Sequence, residues 1–417
     1  MTSLLSKRRV AADAVVTQGG RALQVVFSVV TVVILARALG PAQFGVFSTI
    51  VAVQAACFAI ADLGLGQLAL RAVAQRRMDE ASAIRTAIPH LYIASSVVVG
   101  LSCIISLALV GGAITTVAAC LLIGSTYTHT AARIGVERGF WLGALQFGRA
   151  TMIDVAIAFL RAAAVAVVWL VGGVSLLSYA AGLAVSGFLT LLVMSRWLVY
   201  PSTAPASVGR MDVMILIREG APFALSSLTW NSFAELPKIL LAPAAGVSAV
   251  GQYAAGVRFL TAAYVPLQSL MLVMTPRLFA FAGEAPTKTP LRTHPLIKAA
   301  ALTTLVGGAL AILISGFAPL LPVLLGEKYR PSVPVLRVLS ISLPFQALAF
   351  ATGDWLGGVG RQQLRVLLNL VTLLLAVPVL FVASRHAGAL GAAAAYSALT
   401  AVIAFGTAVA SRRYLPG

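Results

Sequence analysis

The chain has 417 residues, of which 60% are apolar and only 10% are charged, and its mean hydropathy is +0.97. Soluble domains carry about a quarter of their residues as charged side chains, so this composition excludes an ordinary soluble protein. The formal net charge of +18 is compatible with nucleic-acid binding, but the cations lie at the ends of apolar runs and form no single basic face. We therefore predict an all-α integral membrane protein that binds no nucleic acid.

Twelve apolar runs follow one another along the chain, each long enough for the roughly 20 residues of a membrane-spanning helix. The predicted spans are 14–37, 43–64, 87–110, 113–132, 150–171, 175–197, 220–242, 249–273, 298–321, 333–357, 363–384 and 388–410. Strands of a membrane β-barrel would instead alternate in segments of about 10 residues. The three cysteines (Cys57, Cys103 and Cys120) fall inside these runs, which predicts small buried side chains rather than metal ligands.

The distribution of cations predicts the orientation of these spans. With the N-terminus in the cytoplasm, 21 of the 30 Lys and Arg residues fall in loops on the cytoplasmic side. The outer loops hold only Arg37, Lys328, Arg330 and Arg385. Loops on the cytoplasmic side of a membrane carry an excess of Lys and Arg, and here the bias alternates at every loop. It predicts an even number of spans with both termini in the cytoplasm.

A long polar interruption near the midpoint, rich in proline and glycine, is typical of a linker. It divides the chain into a six-helix bundle at 1–198, a cytoplasmic linker at 199–219 and a second six-helix bundle at 220–417.

A short internal repeat supports this division. Gly40, Gly45 and Phe47 recur as Gly246, Gly251 and Tyr253, with one offset of 206 residues. Both copies lie at the turn between the first two spans of a half. Many transporters are built from internal repeats and bind their substrate where the repeats meet.

Charged residues inside the spans are the candidates for function, because each costs a few kcal/mol in a membrane and usually faces a cavity. They are Arg21, Asp154, Arg161, Glu235, Lys238, Arg258, Arg337 and Asp354. Glu235 and Lys238 are three residues apart on one helix face and can neutralise each other. Asp154 and Arg161 are two turns apart on one face and can pair through a neighbour. Arg337 lies near an outer span end and can reach the headgroups.

Arg21 and Arg258 lie several residues inside their spans, one in each half, with no acid nearby in the sequence. An arginine fork binds phosphate oxygens in bidentate fashion. Two interpretations stay open for these arginines: an anionic ligand, or a long-range ion pair with Asp62 or Glu235.

No pattern in the chain predicts catalysis. The four histidines (His90, His129, His294 and His386) have no second ligand at helical spacing, which predicts no metal site. We find no nucleophile–base signature and no phosphate-binding glycine loop followed by Lys and Ser or Thr. The sequence therefore predicts no cofactor, no catalytic residue and no enzyme.

Five segments, in order along almost the whole chain, carry a family resemblance. They are ARALGPAQFGVF at 36–47, DLGLG at 62–66, VGQYAAGVR at 250–258, LGEKY at 325–329 with VLRVL at 335–339, and GRQQ at 360–363. These segments resemble the outer turns, helix ends and inner turns of Wzx-like polysaccharide flippases, the polysaccharide transporter branch of the MOP superfamily.

The resemblance implies two six-helix bundles that form a V around a central cationic cavity. Members of this family move undecaprenyl-pyrophosphate-linked oligosaccharides from the inner to the outer leaflet of the bacterial cytoplasmic membrane by alternating access. This transport serves the biosynthesis of a polysaccharide: O-antigen, capsule or exopolysaccharide. The resemblance further implies that Arg21 and Arg258 hold the pyrophosphate, with Arg161 and Lys238 as further contacts. Asp62, Asp154 and Glu235 are then charge partners or coupling groups. Membrane lipids surround the protein, and a polymerase or chain-length regulator is the expected protein partner.

Two other functions compete with this one. Cation-coupled multidrug efflux occurs in the same superfamily, but it favours acidic cavity residues, whereas the excess inside these spans is basic. A membrane enzyme such as a glycosyltransferase or polymerase needs a large outer loop or catalytic acids at a membrane face. All the predicted loops are short.

Overall fold

The computed structural model describes residues 7–199, 213–283 and 295–413, and this part of the chain is almost entirely helical, without a β-strand. The predicted all-α class is confirmed. The helices in chain order are α1 (Lys7–Asp62), α2 (Leu65–Ala74), α3 (Met78–Thr86), α4 (Ile88–Val110), α5 (Ile114–Gly124), α6 (Ala131–Gly143), α7 (Phe147–Val171), α8 (Leu176–Val193), α9 (Val213–Ala245), α10 (Val247–Gly283), α11 (Pro295–Phe317), α12 (Leu320–Leu325), α13 (Ser332–Ser340), α14 (Ser342–Gly358) and α15 (Gln362–Arg412). Residues Ser125–Thr130 and Met194–Leu198 form π-helices, and Glu327–Tyr329 a 3-10 helix.

Seven helical segments within the described residues are long and apolar enough to cross a membrane. The apolar part of α1 has 46 residues and α15 has 51, about twice what one crossing requires. Both contain a break in the helical backbone, at Gly40 in α1 and at Ala387–Gly388 in α15. The predicted span ends at 37 and 43 lie on either side of the first break, and those at 384 and 388 lie just before the second break and within it. The chain is a multi-pass membrane protein, and the total of twelve spans stays a prediction.

The chain divides into two compact units. Unit 1 comprises 1–39 and 46–235, and unit 2 comprises 40–45 and 236–417. Helix α9 therefore begins in unit 1 and ends in unit 2. The predicted bundle boundaries at 198 and 220 stay a prediction, since residues 200–212 of the predicted linker lie outside the described residues.

Glycines bring helices of unit 1 into backbone contact. A Cβ atom on Gly139 of α6 would overlap the carbonyl oxygen of Gly66 on α2. The next residue, Phe140, is buried in one apolar cluster with Leu68 of α2. The other face of α6 buries Trp141, whose indole N–H donates to the Leu198 carbonyl at 2.6 Å. Because both faces are packed, α6 holds the polar residues between them in fixed positions.

The glycines of both copies of the repeated motif lie in unit 2, and the two copies pack on each other there. Gly40 and Gly246 have φ angles of 68° and 85°, in the left-handed region that favours glycine. A Cβ on Gly45 would overlap the carbonyl of Val247, and one on Gly251 would overlap the carbonyl of Pro41. Pro41 and Val247 occupy equivalent places in the two copies, so the contact is reciprocal.

Three turns between helices close in the same way. The residues at Arg76, Leu145 and Gly360 have positive φ, of 57°, 56° and 75°. In each turn the next residue's N–H bonds a carbonyl five residues back, at 2.8 to 2.9 Å. This is the left-handed helix ending of the Schellman type. It starts α3, α7 and α15 in defined directions from α2, α6 and α14.

Candidate functional site

Helix α1 lies against α7 in unit 1, and this contact positions Arg21. Gly20 has no side chain because a Cβ there would strike Thr151 on α7. Two turns further on, the rings of Phe27 and Phe159 meet edge to face with centroids 5.5 Å apart. Arg21, next to Gly20, is half-buried and interacts electrostatically with Asp154 of α7.

Asp154 takes its ion-pair partner from α6. The Nε atom of Arg138 donates to Oδ2 of Asp154 at 3.1 Å, so Asp154 interacts with both Arg138 and Arg21. Sequence spacing suggested a pair between Asp154 and Arg161, and sequence reasoning placed Arg138 in a cytoplasmic loop. The structure instead brings Arg138 to the acid, and it brings Arg21 near Asp154 rather than near the two acids considered from the sequence, Asp62 and Glu235.

Arg161 has an aromatic neighbour that sequence reasoning missed. Its guanidinium carbon lies 4.3 Å from the ring centroid of Tyr127, a cation–π distance. Tyr127 belongs to the π-helix Ser125–Thr130, and π-helical turns often occur at functional sites. The signal in the sequence is the polar run STYTHT inside an otherwise apolar span. Asp154 with Arg21 and Arg138, and Arg161 with Tyr127 two turns further along α7, are together called the basic cluster.

The buried side of the same π-helix continues into a neutral polar core. Thr128 donates to the Oε1 atom of Gln54 at 2.5 Å, and both side chains are fully buried. His129 lies 2.9 Å from the Ser95 hydroxyl and stacks on Tyr92 with ring centroids 4.6 Å apart. These hydrogen bonds fix the π-helix, and hence Tyr127, in place. The described residues contain no group of three His, Cys, Asp or Glu side chains suited to a metal ion.

In unit 2 the predicted site residues lie on α9 and α10. Lys238 is buried with 7% of its side chain exposed, one turn after Glu235 on α9. Arg258 on α10 is half-buried and forms no hydrogen bond or ion pair with the described residues of the chain. Two residues before it, Gly256 packs closely against Leu336 and Leu339 of α13.

The in-span acid of unit 2, Asp354, is offset by two neighbours. Arg365 of α15 donates to Asp354 at 3.2 Å, and the Thr275 hydroxyl donates to its other oxygen at 2.5 Å. Gly353 makes room for the arginine, since a Cβ there would lie 2.9 Å from its Nε atom. Asp354 is therefore held in an ion pair rather than left open to a ligand.

A second group of charges in unit 1 surrounds α3. Arg71 of α2 donates to Glu80 of α3 at 2.5 Å and to Glu219 of α9. The Glu80 carboxylate, and then that of Glu219, raise the pKa of Arg71 above its ordinary value. Fully buried Glu137 of α6 pairs with Arg133 at 2.8 Å and Arg85 at 3.4 Å. These pairs join α2, α3, α6 and the start of α9.

The arrangement of helices is that of a known class of membrane transporter. The chain is similar to an inward-facing multidrug resistance transporter of the MATE family in the MOP superfamily, with a TM-score of 0.71, 17% identity, and 96% and 98% of the two chains covered. It is also similar to an outward-facing multidrug resistance transporter of the MATE family, with a TM-score of 0.63, 16% identity, and 96% and 94% of the two chains covered. A third similar structure is a MOP superfamily transporter from Pyrococcus furiosus, with a TM-score of 0.60, 18% identity, and 96% and 94% of the two chains covered. Its binding pocket has reverse polarity, which is described as suggesting a different function. At these identities the likeness shows the fold alone, that of MOP superfamily transporters.

The family follows from a separate comparison. The family model described as polysaccharide biosynthesis protein matches residues 10–281, which is more than half of the chain. The chain belongs to this family, and the predicted resemblance to Wzx-like members of the MOP superfamily is confirmed. No curated protein sequence matches the chain significantly.

Proposed function

We propose that this protein flips undecaprenyl-pyrophosphate-linked oligosaccharides from the inner to the outer leaflet of the bacterial cytoplasmic membrane by alternating access. The polysaccharide biosynthesis family and the transporter fold support this proposal. In this role the protein is a transporter rather than an enzyme. Twelve spans with both termini in the cytoplasm, and a polymerase or chain-length regulator as partner, are part of the same proposal.

The observation that carries the proposal is the charge balance of the basic cluster. The cluster has three arginines and one acid. Asp154 pairs with Arg138, which is exposed, so the half-buried arginines Arg21 and Arg161 carry an excess of positive charge. Such an excess is costly in a membrane unless an anion offsets it. A pyrophosphate offers several oxygens for bidentate bonds to guanidinium groups. The ring of Tyr127 attracts the Arg161 guanidinium and restricts its motion, so this side chain loses less conformational freedom when it binds a phosphate.

Unit 2 supplies its own candidates for phosphate contact. Arg258 has no protein partner within the described part of the chain, so its charge is open to a ligand. Lys238 is a buried ammonium group on α9 and is the weaker candidate, because lysine binds phosphate as a point charge rather than as a fork.

Cation-coupled multidrug efflux is the alternative, since several structures of this fold are multidrug transporters. A cavity that attracts cationic drugs needs an excess of acids. The basic cluster has the opposite balance, and Asp354 in unit 2 is already offset by Arg365. The charge distribution therefore favours an anionic substrate.

The test is mass spectrometry of lipid extracts from cells that lack the gene and carry a plasmid copy of it. We expect an undecaprenyl-pyrophosphate oligosaccharide to accumulate without the gene and to return to its normal level with the wild-type copy. Arg21→Ala and Arg258→Ala should each leave the amount of this lipid at least tenfold above its normal level, because each removes a bidentate phosphate contact. Arg337→Ala removes an exposed arginine of unit 2 and serves as the matched control, with wild-type behaviour expected.

Membrane insertion is measured in parallel by quantifying each variant in isolated membranes. Full activity of both Arg21→Ala and Arg258→Ala would exclude the phosphate contacts. An unchanged lipid pool in the deletion strain, together with new sensitivity to cationic drugs, would replace flipping by efflux.

A further inference from the structure

The junction between α1 and α2 is a break in the backbone of unit 1. Helix α1 ends at Asp62, and the next two residues, Leu63 and Gly64, have φ angles of 52° and 71°. Gly220 of α9 packs on this break so closely that a Cβ on Gly64 would overlap the Gly220 carbonyl, and one on Gly220 would overlap the Leu63 carbonyl. In transporters, unwound backbone of this kind often lines an ion site, because its carbonyls are released from the helix ladder.

The carboxylate of Asp62 is enclosed at this break. Its Oδ1 atom is buried and has no hydrogen-bond partner among the described residues. The Gly66 backbone N–H donates to the carboxylate. A Cβ on Gly135 of α6 would lie 3.2 Å from Oδ1, and one on Gly66 would lie 3.5 Å from it. A Cβ on Gly66 would also lie 3.1 Å from the Gly135 carbonyl oxygen, so backbone rather than side chains surrounds Oδ1.

The charged groups on the elements packed against the break are engaged elsewhere. On α2, Arg71 pairs with Glu80 of α3 and with Glu219, which lies in the first turns of α9. On α6, Arg133 pairs with Glu137 and Arg138 pairs with Asp154. The remaining charges on α9 are Arg218, which is exposed, and Glu235 and Lys238, about four turns beyond Gly220. No ion pair in the described part of the chain neutralises Asp62.

We propose that Asp62 binds a monovalent cation, a proton or a sodium ion, beside its Oδ1 atom. A buried carboxylate without a cation is expensive, and an ion that neutralises it removes this cost. The site deepens the proposed transport function, on which it rests: it would provide the ion that couples transport to a gradient. The chain carries no phosphate-binding loop for ATP to drive the process instead.

The test measures thermal unfolding of the full-length purified protein in detergent, without any lipid-linked sugar. One arm adds NaCl at pH 8 against choline chloride of equal ionic strength. The other arm lowers the pH from 8 to 5.5 in choline chloride. We expect one arm to raise the unfolding temperature of the wild type, since a ligand that binds only the folded state stabilises it. The responding arm identifies the ion.

Asp62→Asn, which is neutral and nearly isosteric, should lose that response and unfold near the temperature of the ion-saturated wild type. Asp354→Asn is the matched control, because it removes a half-buried carboxylate that Arg365 already offsets, and it should keep the wild-type response. Gly135→Ala is a second variant in case Asp62→Asn fails to fold. Its methyl group would crowd Oδ1 and should shift the response to at least tenfold higher ion concentration.

A wild type that responds to neither ion, or an Asp62→Asn or Gly135→Ala protein that responds as the wild type does, would overturn the proposal. The assay contains no transported lipid, so its result is independent of which substrate the protein carries. Failure of the lipid-extract experiment with a retained ion response would refute flipping and leave the ion site standing.

Discussion

At the scale of single residues, ion pairs in this protein differ mainly in how far water is excluded from them. Glu137 is fully buried, with Arg133 and Arg85 at 13% and 20% exposure. Glu327 pairs with Arg330 at 2.9 Å, but both side chains are about three-quarters exposed. The Glu327 carboxylate raises the pKa of Arg330 above its ordinary value, yet an exposed pair of this kind contributes little to stability.

We therefore expect Glu137→Gln to destabilise the protein by about 3 kcal/mol, because it leaves two poorly solvated guanidinium groups without their acid. The measurement is the thermal unfolding temperature of the purified protein in detergent. Glu327→Gln is the matched control, and its unfolding temperature should equal that of the wild type. Equal unfolding temperatures for both variants would show that the buried pair is not needed for stability.

At the scale of elements, glycine contacts decide which helices approach each other. In unit 2, the pairs Gly45–Val247 and Gly251–Pro41 bring two segments into backbone contact. Equivalent close approaches of small residues are a usual way to pack membrane helices, since the lipid provides no hydrophobic force between them. The repeated motif is thus a packing motif, with each glycine making room for the other copy's backbone.

Gly251→Ala should lower the unfolding temperature and abolish function, because its Cβ has no room beside the Pro41 carbonyl. Gly316→Ala is the control, since Gly316 lies in α11 with no neighbouring atom within 4 Å of its Cβ position. There the change should be neutral or stabilising, by up to about 1 kcal/mol, because alanine favours the helix. If Gly251→Ala unfolds and works like the wild type, the two copies can separate without harm.

At the scale of the whole molecule, the proposed topology assigns every loop to one side of the membrane. Lys328 and Arg385 are predicted outside, and Gln75 and Gln362 are predicted inside. All four side chains are exposed, so a cysteine at each of them can react with a reagent in water. The three native cysteines, of which two are buried and one is half-buried, are replaced first.

In intact cells a membrane-impermeant thiol reagent should label Lys328→Cys and Arg385→Cys at least tenfold more than Gln75→Cys and Gln362→Cys. After permeabilisation all four should react alike. The physical reason is the positive-inside rule, which keeps arginine-rich loops in the cytoplasm. Labelling of Gln75→Cys or Gln362→Cys in intact cells would contradict the predicted topology, in which these loops are cytoplasmic.

The class, the helical runs and the family were predictable from the sequence, because each rests on local information. Membrane helices follow from hydropathy over about 20 residues. The turns at Gly40 and Gly246 follow from glycine between apolar runs, and both glycines have the positive φ of a turn. The basic excess inside the spans was visible as composition, and it carried the expectation of an anionic substrate.

Only the tertiary structure decided which of these residues meet. Asp154 is seven residues from Arg161, yet it pairs with Arg138 of α6 and faces Arg21 of α1. Tyr127 lies under Arg161 through a π-helix that no hydropathy pattern distinguishes from an α-helix. Asp62 is enclosed by glycines that follow it by four and seventy-three residues. Pairing across helices depends on crossing angles and close approaches, which arise from packing of distant segments and leave no periodic trace in the chain.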